Sequence, residues 1–242
     1  MTSDHSNYAH LRCSTPFAAL SSLDFAVSVA LMQELDALRR EKFGIILDFG
    51  AGNAPYRQLF ECDRYIAADV QQNVDNSIDL LIDGPRTVLA DASVDLVLCI
   101  FVLEHVPDYK LVLRELYRVL KPGGRMFIAV PFISREHETP NDYLRFTSFM
   151  LQSLFPQDAT VRTRKAGNAL HAAFSLWYES NIRNGERPVS SAGGRLLRWL
   201  CRRGAPLLNR TVFRRQPSPD DGVYTSLLAD IRKGQIHSLT ES

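Results

Sequence analysis

A chain of 242 residues with a formal net charge of +1 is long enough to bury one large core. It is too nearly neutral to act as a polyelectrolyte, so nucleic acid is not an expected partner. Cys13, Cys62, Cys99 and Cys201 are scattered, without metal-site or disulfide spacing, so no metal is expected and a reducing, cytoplasmic compartment is.

The N-terminus lacks the basic region and apolar core of a signal peptide, and no apolar run approaches the roughly 20 residues of a membrane span. After a polar lead-in over residues 1–20, Ser21 and Asp24 form a capping-box pattern. Val27, Leu31, Leu35 and Leu38 then repeat at helical spacing. Arg39, Arg40 and Lys42 complement the helix dipole, and Gly44 is placed to close the helix. Residues 1–43 are therefore expected as a lead-in and a helix covering one face of a sheet.

Gly44 to Phe49 is a short apolar run that suits a strand buried on both faces. It carries Asp48 near its end and runs into Gly50-Ala51-Gly52, where the backbone can turn sharply and a ligand can approach without meeting a Cβ. Pro55 fits the first turn of a short helix around Tyr56–Glu61, whose N-terminal N–H groups would face an electron-rich ligand atom. A dinucleotide site asks for a third glycine where Pro55 stands. Asp48, moreover, would repel a pyrophosphate and pair with a cationic amine. The next apolar run, Tyr65 to Asp69, ends in a second acid at about the spacing of a ribose-binding carboxylate. A ligand with a ribose, an ammonium group and no phosphate is S-adenosylmethionine. The alternative reading of this loop is an ordinary Asp-Gly turn.

Ile78 to Ile82 gives a third strand, closed by Asp83-Gly84-Pro85, and Val94 to Phe101 a fourth. Leu113, Leu116, Tyr117 and Leu120 mark an amphipathic helix stopped by Lys121-Pro122-Gly123-Gly124. Arg125 to Val130 is a fifth strand. Strands alternating with helices predict a parallel sheet covered on both faces, with its ligand at the carboxyl ends of the strands. Asp48, Asp69, Asp83 and Phe101 all fall at such ends.

These residues carry a family resemblance. Leu47-Asp48-Phe49-Gly50-Ala51-Gly52, Val94 to Cys99, Val102-Leu103-Glu104-His105-Val106 and Leu120 to Gly124 together resemble the class I S-adenosylmethionine-dependent methyltransferases. The resemblance implies that Asp48, Gly50, Ala51 and Gly52 meet the methionine end of the cofactor. It places Asp69 and Val70 at the ribose, Asp83 and Gly84 at the adenine, and Phe101 beside the sulfonium. The family pattern has a glycine where Ala54 stands. Glu104 and His105 are a candidate catalytic pair, although in the family that histidine is more often structural than catalytic.

Ionisable groups then crowd the stretch leaving the fifth strand. His137, Glu138, Pro140, Asp142, Tyr143, Arg145, Phe146 and Thr147 resemble a pattern of methyltransferases in bacterial polysaccharide and cell-envelope gene clusters. Methyl transfer to a hydroxyl needs alignment and removal of a proton. His137 has the intrinsic pKa for that, and Glu138 or Asp142 can orient it. Glu138, Tyr143 and Arg145 are the candidate acceptor-binding residues. The alternative is a solvated loop with Arg145 in a structural ion pair.

Thr147 is expected to cap a helix reaching Leu154 and Phe155, followed by a sixth strand over 159–164 and an apolar helix over 169–182. Arginines crowd the region from Arg183 to Arg215. A basic amphipathic helix over 195–203 can contact an anionic inner-membrane surface, or pack on the domain with its arginines in water. Val223 to Ile231 reads as a last strand returning antiparallel beside the fifth.

The expected fold is one doubly wound α/β domain over 44–233, with a seven-stranded, mostly parallel sheet. A basic helical insertion over 167–220 precedes the last strand, and 234–242 form a tail. The expected activity is methyl transfer from S-adenosylmethionine to an oxygen of a sugar or glycan-type acceptor. The alternatives are a small metabolite or a lipid or quinone precursor as acceptor, or a cofactor-binding scaffold without catalysis.

Overall fold

The computed structural model describes residues 25–169, 172, 173, 176 and 222–235. Its elements run α1 Phe25–Leu38, β1 Phe43–Phe49, β2 Cys62–Asp69, β3 Leu80–Leu81, β4 Val94–Ile100, α2 Tyr109–Val119, β5 Leu120–Pro131, α3 Ser148–Ser153, β6 Thr160–Ala166 and β7 Ser226–Arg232. The seven strands form one sheet in the order β3-β2-β1-β4-β5-β7-β6. β1 pairs in parallel with β2 and β4, and β4 with β5; β7 runs antiparallel between β5 and β6. The mostly parallel sheet and the antiparallel return beside the fifth strand are as the sequence predicts.

Alternation along the strands divides the core into two faces. Leu47, Phe49, Val97, Cys99, Met126 and Ile128 pack on one side with Val112, Leu113, Leu116 and Val119 of α2. Ile46, Leu96, Leu98, Phe127 and Ala129 pack on the other with Ala30, Leu31, Leu35 and Leu38 of α1. Because both faces are covered, the central strands are apolar throughout, which explains why they read as continuous runs rather than alternating ones.

Two local expectations are corrected. Gly44 lies inside β1, not at the end of α1, which stops at Leu38. A Cβ there would come within 3.0 Å of Asp95 Oδ2, an atom that accepts the Ile45 N–H at 2.7 Å. The helix expected from Pro55 is only a 3-10 turn, Arg57–Leu59, so the glycine loop does not lead into an α-helix N-terminus. The third and fifth strands also differ in extent, β3 being two residues and β5 beginning at Leu120.

The capping pattern at Ser21 and Asp24, the side chain of Val27 and the Arg-rich segment 195–203 lie outside the described residues, as does most of the region 167–220. Among the described residues, no helix is long and apolar enough to cross a membrane.

Candidate active site

The strand order reverses between β1 and β4, which makes the crevice at their carboxyl ends the topological switch point. Gly50 leaves β1 there with φ +70°. A Cβ on Gly50 would stand 2.4 Å from Val102 Cγ2, so side-chain loss at this position is what lets the loop after β1 and the loop after β4 approach. Phe101 enters the latter loop with φ +55°, and Ala54 closes the glycine loop with φ +47°. The left-handed conformation at Ala54 accounts physically for the glycine that the family pattern carries there.

The amides of the glycine loop are already committed. Gly50 N and Ala51 N donate to the Ala68 carbonyl at 2.8 and 3.1 Å, and Ala54 N donates to Ala51. Gly52 N donates to Asp69 Oδ2 at 2.7 Å. A pyrophosphate cradle needs such N–H groups turned toward the ligand, and these four point elsewhere.

Asp69 remains well placed for a diol. Its oxygens accept one backbone N–H each, from Gly52 and from Val70 at 2.7 Å. A carboxylate has about four acceptor sites, so capacity for two ribose hydroxyls remains. β2 and β3 pair through Asp69 and Leu81, and Ile82 N donates to the Asp69 carbonyl at 2.9 Å. The fold thereby brings Asp83 and Gly84, both exposed, next to Asp69 and to Val70, which is 72% exposed. Asp48 departs from its expected position at the loop mouth. It is buried at 2% exposure and accepts the Tyr65 hydroxyl at 2.7 Å. Burial and the neighbouring Asp48 charge push the Tyr65 pKa up, so the phenol keeps its proton. Asp48 can therefore influence a cationic ligand only through its field from behind the loop, not by contact at its mouth.

Acidic and basic groups gather on the β4 and β5 side. The 3-10 turn Leu103–His105 follows Val102, and its Glu104 carbonyl accepts the Tyr143 and Leu144 N–H groups at 2.8 and 3.3 Å. This folds the segment after β5 back over the turn. Fully buried Phe146 anchors the end of that segment, edge-on to Tyr109. Thr147 caps α3 by accepting the Met150 N–H at 3.1 Å, as its sequence position predicts.

Arg145 grips Asp142 with two parallel hydrogen bonds of 2.5 and 2.7 Å, and Asp142 Oδ2 also accepts the His137 N–H at 3.0 Å. Burial raises the Asp142 pKa, but the guanidinium and the His137 N–H outweigh it and hold the carboxyl at about 2. His137 Nδ1 lies 3.1 Å from that carboxylate and 3.2 Å from the Arg135 carbonyl oxygen. Both are acceptors, so Nδ1 carries the proton. Burial lowers the pKa of the ring, which favours the neutral form. The expected pairing of His137 with Asp142 is therefore formed, and Arg145 serves that pair first.

Glu138 and Tyr143 are near this group in different ways. Glu138 Oε2 lies 3.8 Å from His105 Nε2, whereas the Tyr143 hydroxyl donates to Asn141 at 3.1 Å with its ring half exposed. Glu104, which the sequence offers with His105 as a candidate pair, is wholly buried with neither oxygen hydrogen-bonded among the described residues. Burial pushes its pKa up to about 8. The rings of His105 and His137 meet edge-on at 4.9 Å.

Comparison with known proteins agrees with this geometry. Residues 47–128 match the family model described as "Methyltransferase domain". A ubiquinone/menaquinone biosynthesis C-methyltransferase of Pseudoalteromonas translucida is 43% identical over 61 residues, covering 25% of this chain and 24% of its own. A ubiquinone biosynthesis O-methyltransferase of Pseudomonas savastanoi is 30% identical over 107 residues, 44% and 42% of the two chains. The chain thus spans less than half the length of these relatives. Among solved structures, the cyclase SpnF superposes with a TM-score of 0.54 at 13% identity, over 86% of this chain and 82% of its own. A chain from the complex containing the Haloferax volcanii Trm112 methyltransferase activator gives 0.52 at 18%, over 85% and 89%.

Residues 47–128 are thus similar to a methyltransferase domain, and the sheet that carries them has the doubly wound, Rossmann-like order of such domains. The acceptor-side segment 131–147 lies beyond the matched residues. A cyclase on the same fold shows why the reaction has to be read from the site.

Proposed function

We propose that the protein transfers the methyl group of S-adenosylmethionine to a hydroxyl oxygen of a small molecule. The observation that carries this reading is the convergence of two loops at the switch point. Val102 packs against Gly50 of the cofactor loop, and only two residues further on the chain enters the Glu104, His105, His137 and Asp142 group. S-adenosylmethionine supplies an electrophilic methyl carbon. Asp69, Val70, Asp83 and Gly84 would hold its nucleoside, the Gly50–Gly52 loop and the field of Asp48 its amino-acid end, and Phe101 its sulfonium side.

On the acceptor side, Asp142 fixes the His137 tautomer, and Arg145 fixes Asp142. The acceptor oxygen would meet the histidine pair, where its proton is taken up, with Glu138 and Tyr143 at the entrance. In-line attack then needs only a positioned oxygen that has lost its proton.

The relative named as a ubiquinone biosynthesis O-methyltransferase favours a hydroxyl on a quinone precursor over the sugar or glycan-type acceptor that the pattern of residues 137–147 suggests. The C-methyltransferase relative makes a carbon of such a precursor the alternative acceptor atom. The basic segment 195–203 is a proposed contact with the anionic membrane surface where a lipid-linked acceptor would reside; vesicle co-sedimentation tests it. The experiment for the function itself is a turnover assay with labelled S-adenosylmethionine against phenolic, quinol and sugar acceptors. Methylated phenol with stoichiometric S-adenosylhomocysteine is expected. Transfer to a sugar alone would replace the aromatic reading, and tight cofactor binding without turnover on any acceptor would favour the scaffold reading.

A further inference from the structure

The Glu104, His105 and His137 group contains more than a proton-transfer pair requires. His105 Nδ1 lies 2.7 Å from the Asn141 carbonyl oxygen. A carbonyl only accepts, so this nitrogen carries a proton, and Nε2 is the atom turned toward two carboxyl groups. Glu104 Oε1 and Glu138 Oε2 each lie 3.8 Å from it. Nitrogen and oxygen donors are thus gathered where a cation, a proton or a metal ion, can be shared. The wholly buried Glu104 side chain has no hydrogen-bond partner at either oxygen among the described residues, which is costly unless something else satisfies it.

One ligand atom from each of Glu104, His105 and His137 lies within 4.8 Å of the others. Ligands about 2.0–2.2 Å from a shared cation stand roughly 3–3.5 Å apart in a tetrahedral arrangement. Closing this group onto an ion therefore asks for side-chain shifts on the order of an ångström. Both histidines also carry the support that metal-bound imidazoles have, a carbonyl or carboxylate on the nitrogen that does not coordinate. Asn141 provides it for His105, and Asp142 with the Arg135 carbonyl for His137.

We infer that Glu104, His105 and His137 form a binding site for a divalent first-row metal ion, with Glu138 as a further oxygen donor from the entrance. Two imidazoles with one or two carboxylates suit zinc, manganese or iron(II) better than calcium. The ion would keep coordination positions for a further ligand. On the proposed function, on which this step rests, those positions take the acceptor hydroxyl and lower its pKa. His137 is then a ligand oriented by Asp142 in place of the proton acceptor, and the hydroxyl gives up its proton to solvent. The grouping escapes sequence analysis because the ligands come from two loops separated by α2 and β5.

The test is titration of the chelator-treated full-length protein with Co2+ followed by visible absorption, and with Zn2+ and Mn2+ by calorimetry. One equivalent of Co2+ or Zn2+ binding at micromolar affinity or tighter is expected, with tetrahedral or five-coordinate cobalt bands. Glu104→Gln and His105→Asn should each weaken binding at least a hundredfold, His105→Asn covering the case in which the buried substitution does not fold. Affinity no tighter than millimolar, or variants that bind like the parent, would overturn the site. So would an imidazole of His105 that stays doubly protonated by NMR in the presence of metal. S-adenosylmethionine affinity measured on the same samples separates the two proposals. Cofactor binding without metal binding removes only the metal site, and metal binding without cofactor binding removes the proposed function.

Discussion

Asp69 Oδ2 accepts the Gly52 N–H at 2.7 Å, so the acid that ends β2 also fixes the glycine loop that follows β1. The ribose contact proposed for Asp69 and the geometry of the glycine loop would thereby be coupled through one carboxylate. Asp69→Ala should weaken S-adenosylmethionine binding by about tenfold to a hundredfold through the lost diol contacts. It should also cost about 1–2 kcal/mol of stability, because the Gly52 N–H loses its acceptor. Asp69→Asn should recover most of the stability and less of the affinity. Calorimetry and denaturant unfolding on the two variants check this, and unchanged affinity in Asp69→Ala would remove the ribose assignment.

Gly50 and Val102 form a second coupled pair. Gly50→Ala places a Cβ against Val102 Cγ2 in a left-handed conformation, at a cost of about 2–4 kcal/mol. In a double-mutant cycle with Val102→Ala, roughly 1–2 kcal/mol of coupling is expected, since the clash disappears and the backbone strain stays. Additive effects would show that the two loops are not in contact.

On the acceptor side, His137→Ala should lower kcat by about 10²-fold to 10⁴-fold with the S-adenosylmethionine affinity unchanged. Asp142→Asn should lower kcat by a similar route, through a wrongly oriented imidazole. It should additionally destabilise the fold by about 1–3 kcal/mol, because the Arg145 guanidinium loses its carboxylate and keeps only the Leu144 and Arg135 carbonyls and a neutral amide. A His137→Ala enzyme with full turnover contradicts the acceptor-site reading.

Acid stability tests a structural ion pair away from the site. Glu115 accepts from Arg118 and from the Thr87 N–H and hydroxyl, and these hold its carboxyl at about 2 against the penalty of burial. A folded pKa below the unfolded one stabilises the protein fully above the unfolded value, near 4.5. That stabilisation is lost as pH falls toward 2. The contribution is on the order of 3 kcal/mol, and Glu115→Gln should remove most of it at pH 7 and flatten the stability profile between pH 5 and about 2. A parallel profile in parent and variant would contradict the pairing.

Much of the fold is written in the strand-end punctuation. Asp48, Asp69, Asp83 and Phe101 each close an apolar run, and all four arrive at the carboxyl edge because parallel strands share one direction. The Thr147 cap and the antiparallel return of β7 were equally legible, being set by local chemistry and by the order of runs. What was not legible depends on contacts across the chain. Tyr65 takes Asp48 away from the loop mouth from 17 residues on, and Gly44 reads as a helix stop although Asp95, 50 residues beyond its neighbour Ile45, claims the strand. Glu104 stands out in the sequence only as the neighbour of His105, and its burial follows from the Tyr143 and Leu144 segment folding over its backbone.

With its loop amides turned away and Asp69 at the end of β2, the switch-point crevice suits a sulfonium nucleoside and not a pyrophosphate. Calorimetric titration of the purified protein with S-adenosylmethionine, S-adenosylhomocysteine and NAD tests it most directly. Micromolar binding of both sulfur nucleotides with none of NAD is the predicted result. Binding of NAD, or failure of both sulfur nucleotides to bind, would contradict the account.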